Sequence, residues 1–159
     1  MMFREMIRKK QQLDPAECIA LLQRERRGVL SVIGEGGYPY GTPMNHIWDA
    51  EEACLYFHCG NVGHRLEAIR REQKVSFCVF DQGTHKGDDW ALHVKSVIVF
   101  GRIEVLDDPL QIARICTALS HKFTQDEVYI AREIAEHAHR TLLLRLVPEH
   151  ICGKCVTEA

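Results

Sequence analysis

The run Leu55-Tyr-Phe-His58-Cys59-Gly60-Asn-Val-Gly63-His64-Arg65 gathers the residue types in this chain best suited to chemistry. An apolar stretch ends at His58, glycines bracket a short loop, and a histidine–arginine pair opens a helical segment. A helix start offers unpaired backbone N–H groups and the positive end of the dipole, which suits a phosphate. Gly60 and Gly63 let the backbone approach such an anion, and His64 and Arg65 add charge-assisted donors. The same residues also suit an ordinary strand-to-helix connection with solvated basic side chains. A glycine-flanked loop taken singly does not separate the two.

The elements that must position these residues read as follows. Asp14-Pro-Ala-Glu17 is a helix start with an N-cap aspartate, proline at the first position and glutamate at the third. Arg24 to Arg27 form a basic end that complements the helix dipole. Residues 28–33 read as a buried strand, and the glycines of residues 34–37 as a turn. Residues 38–48 are extended, with Tyr38, Tyr40, Thr42, Met44, His46 and Trp48 on one face. Pro39 and Pro43 fall on the other, so a bend, a bulge or lost pairing is expected there. A hairpin turn (residues 49–52) leads into a strand over 53–59, a helix over 63–71 and a strand over 74–81. A glycine- and aspartate-rich loop (82–89) precedes a long strand (91–106). Helices over 109–122 and 126–139, a strand over 141–147 and a short polar tail complete the chain. Hairpin-linked strands with inserted helices indicate an antiparallel α+β barrel rather than a parallel sheet.

The totals exclude little but point one way. The 159 residues suit one domain over 1–159, and an apolar share of 46% with 26% charged residues is ordinary for a globular protein. A net charge of −2 suggests neither nucleic acid nor an anionic membrane as partner. No apolar run approaches the ~20 residues that span a bilayer, and the basic N-terminal residues carry no apolar signal core. A cytoplasmic protein is expected. The seven cysteines are an odd set, several inside apolar patterns where the thiol behaves as a small hydrophobe. Cys152-Gly-Lys-Cys155 has redox or metal spacing, but it neither opens a helix nor meets a second ligand pair, with His150 its only near neighbour.

Five segments in order carry a resemblance: Gly28-Val-Leu-Ser-Val, Tyr38-Pro-Tyr-Gly-Thr-Pro-Met44, Leu55-Tyr-Phe-His-Cys59 running into Gly63-His-Arg65, Lys74-Val-Ser-Phe-Cys-Val79, and Lys95-Ser-Val-Ile-Val-Phe-Gly101-Arg. Together with Gly153-Lys154 they resemble the pyridoxamine-phosphate-oxidase-like FMN-binding split barrels, and among these the nitroimidazole-resistance branch. The resemblance implies an antiparallel split β-barrel with peripheral helices, and a homodimer with two FMN molecules in grooves between subunits. It places His64 and Arg65 at the flavin phosphate, where the vitamin-B6 oxidases carry arginine and lysine. Thr42, Pro43, Met44 and Asn45 match the strand beside the isoalloxazine ring. His58 and Cys59 match the strand end facing the flavin site. Ser96 and Val97 match the strand that reaches FMN from the partner subunit, and Lys154 matches the C-terminal motif.

His58 is the catalytic candidate, as proton donor to a reduced nitro group or as hydrogen-bond partner of a substrate anion. The alternative is that it only braces the flavin phosphate or ribityl chain. His137 and His139 are placed to complement a helix end rather than to share a metal, and His46, His85, His93 and His121 read as packed or solvated. Trp90 follows a flexible loop and is a candidate cap for the pocket. The leading function is an FMN-dependent oxidoreductase of small molecules, loaded by a reduced nicotinamide or other donor and passing electrons to a nitroaromatic acceptor. A flavin- or haem-binding module without turnover is the alternative. Oxidation of pyridoxamine phosphate is disfavoured, because the basic C-terminal residues of a true B6 oxidase are missing.

Overall fold

A computed structural model describes residues 2–158. Helix α1 (Pro15–Arg24) starts at Asp14, whose side chain accepts from the Glu17 N–H at 2.8 Å. The strands are β1 (Arg27–Ile33), β2 (Pro39–Asn45), β3 (Ile47–Asp49), β4 (Cys54–Gly60), β5 (Lys74–Phe80), β6 (Leu92–Leu106) and β7 (Thr141–Glu158). The remaining helices are α2 (His64–Arg71), α3 (Pro109–Ser120) and α4 (Glu127–His137).

All seven strands form one antiparallel sheet in the order β2-β1-β5-β6-β7-β4-β3. Its two outermost strands, β2 and β3, are joined by His46 alone. A sheet whose two edges are one residue apart in the chain has to curl until they meet, and that makes the split barrel. The extended run over residues 38–48 is therefore two strands with different partners, β1 for the first and β4 for the second. The break falls at His46 and not at the prolines. Pro39 and Pro43 pair in register with Ile33 and Val29, without a bulge, because β2 is an edge strand with one side free of the ladder.

Alternation then sorts the side chains. Leu30, Phe57, Phe77, Val99, Leu144 and Leu146 fill the curled interior, joined by Leu21 and Leu22 of α1 and Leu66 and Ile69 of α2. On β4, Leu55, Phe57 and Cys59 point inward, so Cys54, Tyr56 and His58 point out. Helix α3 covers the first two of these with Ile112, Ile115 and Leu119, while His58 stays exposed at the rim.

Two expectations change here. The polar tail is strand: β7 runs on to Glu158, paired with β6 down to Leu92. Pro148 and a register shift opposite Phe100 and Gly101 interrupt its alternation, which is why the segment reads as a tail in the sequence. Cys152 and Cys155 consequently lie on opposite faces of a strand, Cys155 against the core, and cannot share a metal or a disulfide. The basic run also divides, with Arg24 ending α1 and Arg27 opening β1.

Candidate functional site

The start of α2 is open. Its N-cap is Gly63, in a left-handed conformation with φ 133°, and no side chain caps the helix. A Cβ at Gly63 would meet nothing within 4 Å, so the chain is uncrowded at this helix start. Arg65 reaches from this turn to β2, its Nη1 donating to Thr42 Oγ1 at 3.2 Å. That partner is a neutral hydroxyl, so the guanidinium keeps its charge available. His64 stacks on Tyr40 with ring centroids 4.4 Å apart, which fixes it over the β1–β2 turn. Cys59 lies beside the same guanidinium, but burial dominates and pushes its thiol pKa up, leaving a neutral side chain in the core.

A groove lies next to this anion-suited corner, lined by Arg27, Pro43, Met44, Asn45 and His58. The β3–β4 pairing places Ile47 opposite Tyr56, so Asn45 and His58 sit where β2 and β4 diverge. Arg27 Nε donates to Asn45 Oδ1 at 2.9 Å, which commits the amide oxygen and leaves the Asn45 NH₂ for a ligand. The side chain of Met44 is buried against the core, while Pro43 is exposed. Surrounding protein, and secondly the charge of Arg65, hold the His58 pKa below the ordinary 6.5, so its imidazole is neutral at pH 7.

Ser96, Val97 and Lys154 are elsewhere in the chain. Ser96 pairs with Phe80 and with Lys154, three strands from β2, a separation of about 14 Å at ordinary strand spacing. The Val97 side chain is fully buried between Val79 and Gly153. One chain therefore brings Thr42, Pro43, Asn45, His58, His64 and Arg65 around this corner and groove, turns the Met44 and Cys59 side chains to the core, and leaves the other three on a separate part of the sheet.

Sequence reasoning passed over two features. Arg27 looked like the end of a helical charge run, and only its pairing in β1 turns it toward Asn45. A second cavity of about 240 Å³ opens beyond Asn45 and His58, under α3 and α4, with Leu119, Tyr129, Glu133 and His137 among its walls. In the sequence these helices carry nothing but an amphipathic pattern. His137 was expected only to complement a helix end; it converges with Glu133 and Glu136, their ligand atoms within 4.8 Å of one another. His46 is fully buried, its Nε2 donating to the Leu22 carbonyl at 2.8 Å. Trp90 is 94% exposed and lines neither cavity. Among the described residues no helix is long and apolar enough to cross a membrane.

Comparison with known proteins agrees with this architecture. The structure is similar to the conserved hypothetical protein Rv2991 of Mycobacterium tuberculosis, at 19% identity and a TM-score of 0.79, covering 94% of this chain and 90% of that one. It is also similar to a candidate 5-nitroimidazole antibiotic resistance protein of Bacteroides thetaiotaomicron, at 16% identity and a TM-score of 0.74, covering 92% and 87%. An FAD-binding protein of Mesorhizobium loti shares 25% identity at a TM-score of 0.69, covering 92% and 97%. No protein of curated function matches the sequence. The family model described as pyridoxamine 5'-phosphate oxidase matches residues 14–155, nearly the whole chain. The chain belongs to the pyridoxamine 5'-phosphate oxidase family of split-barrel proteins.

Proposed function

We propose that the protein binds FMN as a homodimer and acts as an oxidoreductase of small molecules, with a nitroaromatic compound as acceptor. The observation that carries this reading is the uncapped start of α2 with Arg65 beside it, opening onto the groove of Asn45 and His58. The residues present fit a flavin mononucleotide. A phosphate at the α2 start meets open amides, a guanidinium not cancelled by a carboxylate, and the imidazole of His64. A planar ring along Pro43 and Asn45 meets an edge strand whose outer backbone groups are free of the ladder, and the NH₂ that Arg27 leaves to Asn45. The 25% identical Mesorhizobium relative is named as FAD-binding, which supports a flavin and makes FAD the competing occupant.

When bound, the flavin supplies the electron transfer. The chain's own residues bind, orient and exclude. Arg65 anchors the phosphate and is itself steadied by Thr42; Asn45 reads the polar edge of the ring. His58, neutral at pH 7 and beside the groove, accepts or relays a proton at an imidazole nitrogen. The row of exposed Phe80, half-buried Ser96 and exposed Lys154 can face a second subunit, which is how Ser96 and Lys154 would join a site they do not reach within one chain.

The test is titration of the purified protein with FMN and with FAD, followed by flavin fluorescence. The FMN complex is then treated with reduced nicotinamide and a nitroaromatic compound. Tight FMN binding, bleaching by the donor and recovery with the acceptor support the proposal. A flavin complex inert to all donors would make the protein a binder without turnover. A Soret band in place of a flavin spectrum would make it a haem protein.

A further inference from the structure

The chamber of about 240 Å³ under α3 and α4 is smaller than sites for drug-sized ligands, with room for one ring and small substituents. Leu119, Phe123 and Ile134 give it apolar walls, and Asn45 and His58 stand where it meets the groove described above. No lysine or arginine lines it; Glu133 does. His137 stands beside that carboxylate. Its Nδ1 lies 2.6 Å from Arg140 Nη2, and arginine can only donate, so Nδ1 accepts and the ring proton sits on Nε2. That nitrogen is 3.5 Å from Glu133 Oε2. Arg132 touches Glu133 only loosely, at 3.9 Å, from an exposed position.

We infer that this chamber takes the acceptor substrate, and that Glu133 makes it select an uncharged or cationic single-ring molecule over one of the same size bearing a carboxylate or phosphate. The inference rests on the flavin reading for what lies in the adjoining groove. An anionic ring entering the chamber loses part of its hydration, finds no lysine or arginine on the walls and meets the Glu133 carboxylate. A neutral ring needs only the apolar walls and the hydrogen-bonding groups of Asn45 and His58. A basic ring gains Glu133 as counter-ion. Pyridoxamine phosphate, with its dianionic group, falls in the rejected class.

The test is calorimetric binding of 4-nitrobenzylamine, 4-nitrobenzyl alcohol and 4-nitrobenzoate, with and without FMN. A chelator is present throughout, so that no metal bridges Glu133, Glu136 and His137. The wild type is expected to bind the amine at least tenfold more tightly than the benzoate, with the alcohol between. Glu133→Gln, close to isosteric, should bring amine and alcohol together, and Glu133→Lys should make the benzoate the preferred ligand. The same order of affinities in all three proteins, or no binding of any probe, overturns the inference. FMN uptake is read separately by absorbance. A charge order without FMN uptake sustains the selectivity and removes the flavin reading, whereas FMN uptake without a charge order does the reverse.

Discussion

Arg65 at the start of α2 donates to Thr42 on β2 at 3.2 Å, and so ties a helix terminus to the edge strand across the split in the barrel. The bond holds the guanidinium against β2 through a neutral hydroxyl, without neutralising it. Replacing Arg65 by alanine should weaken FMN binding by ~1.5–3 kcal/mol, the range for a charge-assisted hydrogen bond, with little loss of thermal stability. Fluorescence titration gives the dissociation constant, and flavin retention equal to wild type would remove Arg65 from the phosphate site.

His58 should titrate below 6.5, because surrounding protein and then Arg65 disfavour its charged form. Substituting Arg65 by methionine removes the second cause and should move the His58 pKa upward, as followed by NMR of the imidazole protons. His58→Ala should keep the flavin but change turnover or acceptor affinity. Unaltered kinetics with several acceptors would leave His58 a structural residue.

His46 sets an acid limit on stability. Burial, and secondly the charge of Lys122, lower its pKa to about 4 from 6.5. Its Nε2–H is committed to the Leu22 carbonyl, and its Nδ1 is buried without a partner. As pH falls below 6.5 the unfolded chain takes up the proton first. Stability is therefore lost between about pH 6.5 and 4, roughly 3 kcal/mol in all, and is unaffected by this residue at higher pH. Lys122 stays charged across that window. Denaturant unfolding at several pH values should show this slope in wild type and lose it in His46→Gln.

Gly101→Ala should be destabilising by about 3 kcal/mol through overpacking. A Cβ there falls on the Val147 carbonyl, a backbone group of the neighbouring strand that cannot swing away, at the register shift of the β6–β7 pair. Chemical denaturation provides the measurement, and a midpoint equal to wild type would show that β7 shifts freely at this point.

Local patterns decided much of this protein in advance. The Asp14 cap, the alternation of β1 and β5, the apolar run of β4, the glycine at the α2 start and the basic pair after it are properties of adjacent residues, and adjacent residues fix caps, pleats and turns. The phosphate-suited corner was visible for the same reason. What the sequence left undecided depends on residues far apart in the chain. That β2 and β3 divide at His46, that residues 148–158 are strand, that Arg27 holds Asn45 and that α3 and α4 wall a cavity that includes Glu133 all follow from strands finding distant partners. Closure of the curled sheet sets those pairings, and no stretch of neighbouring residues encodes it.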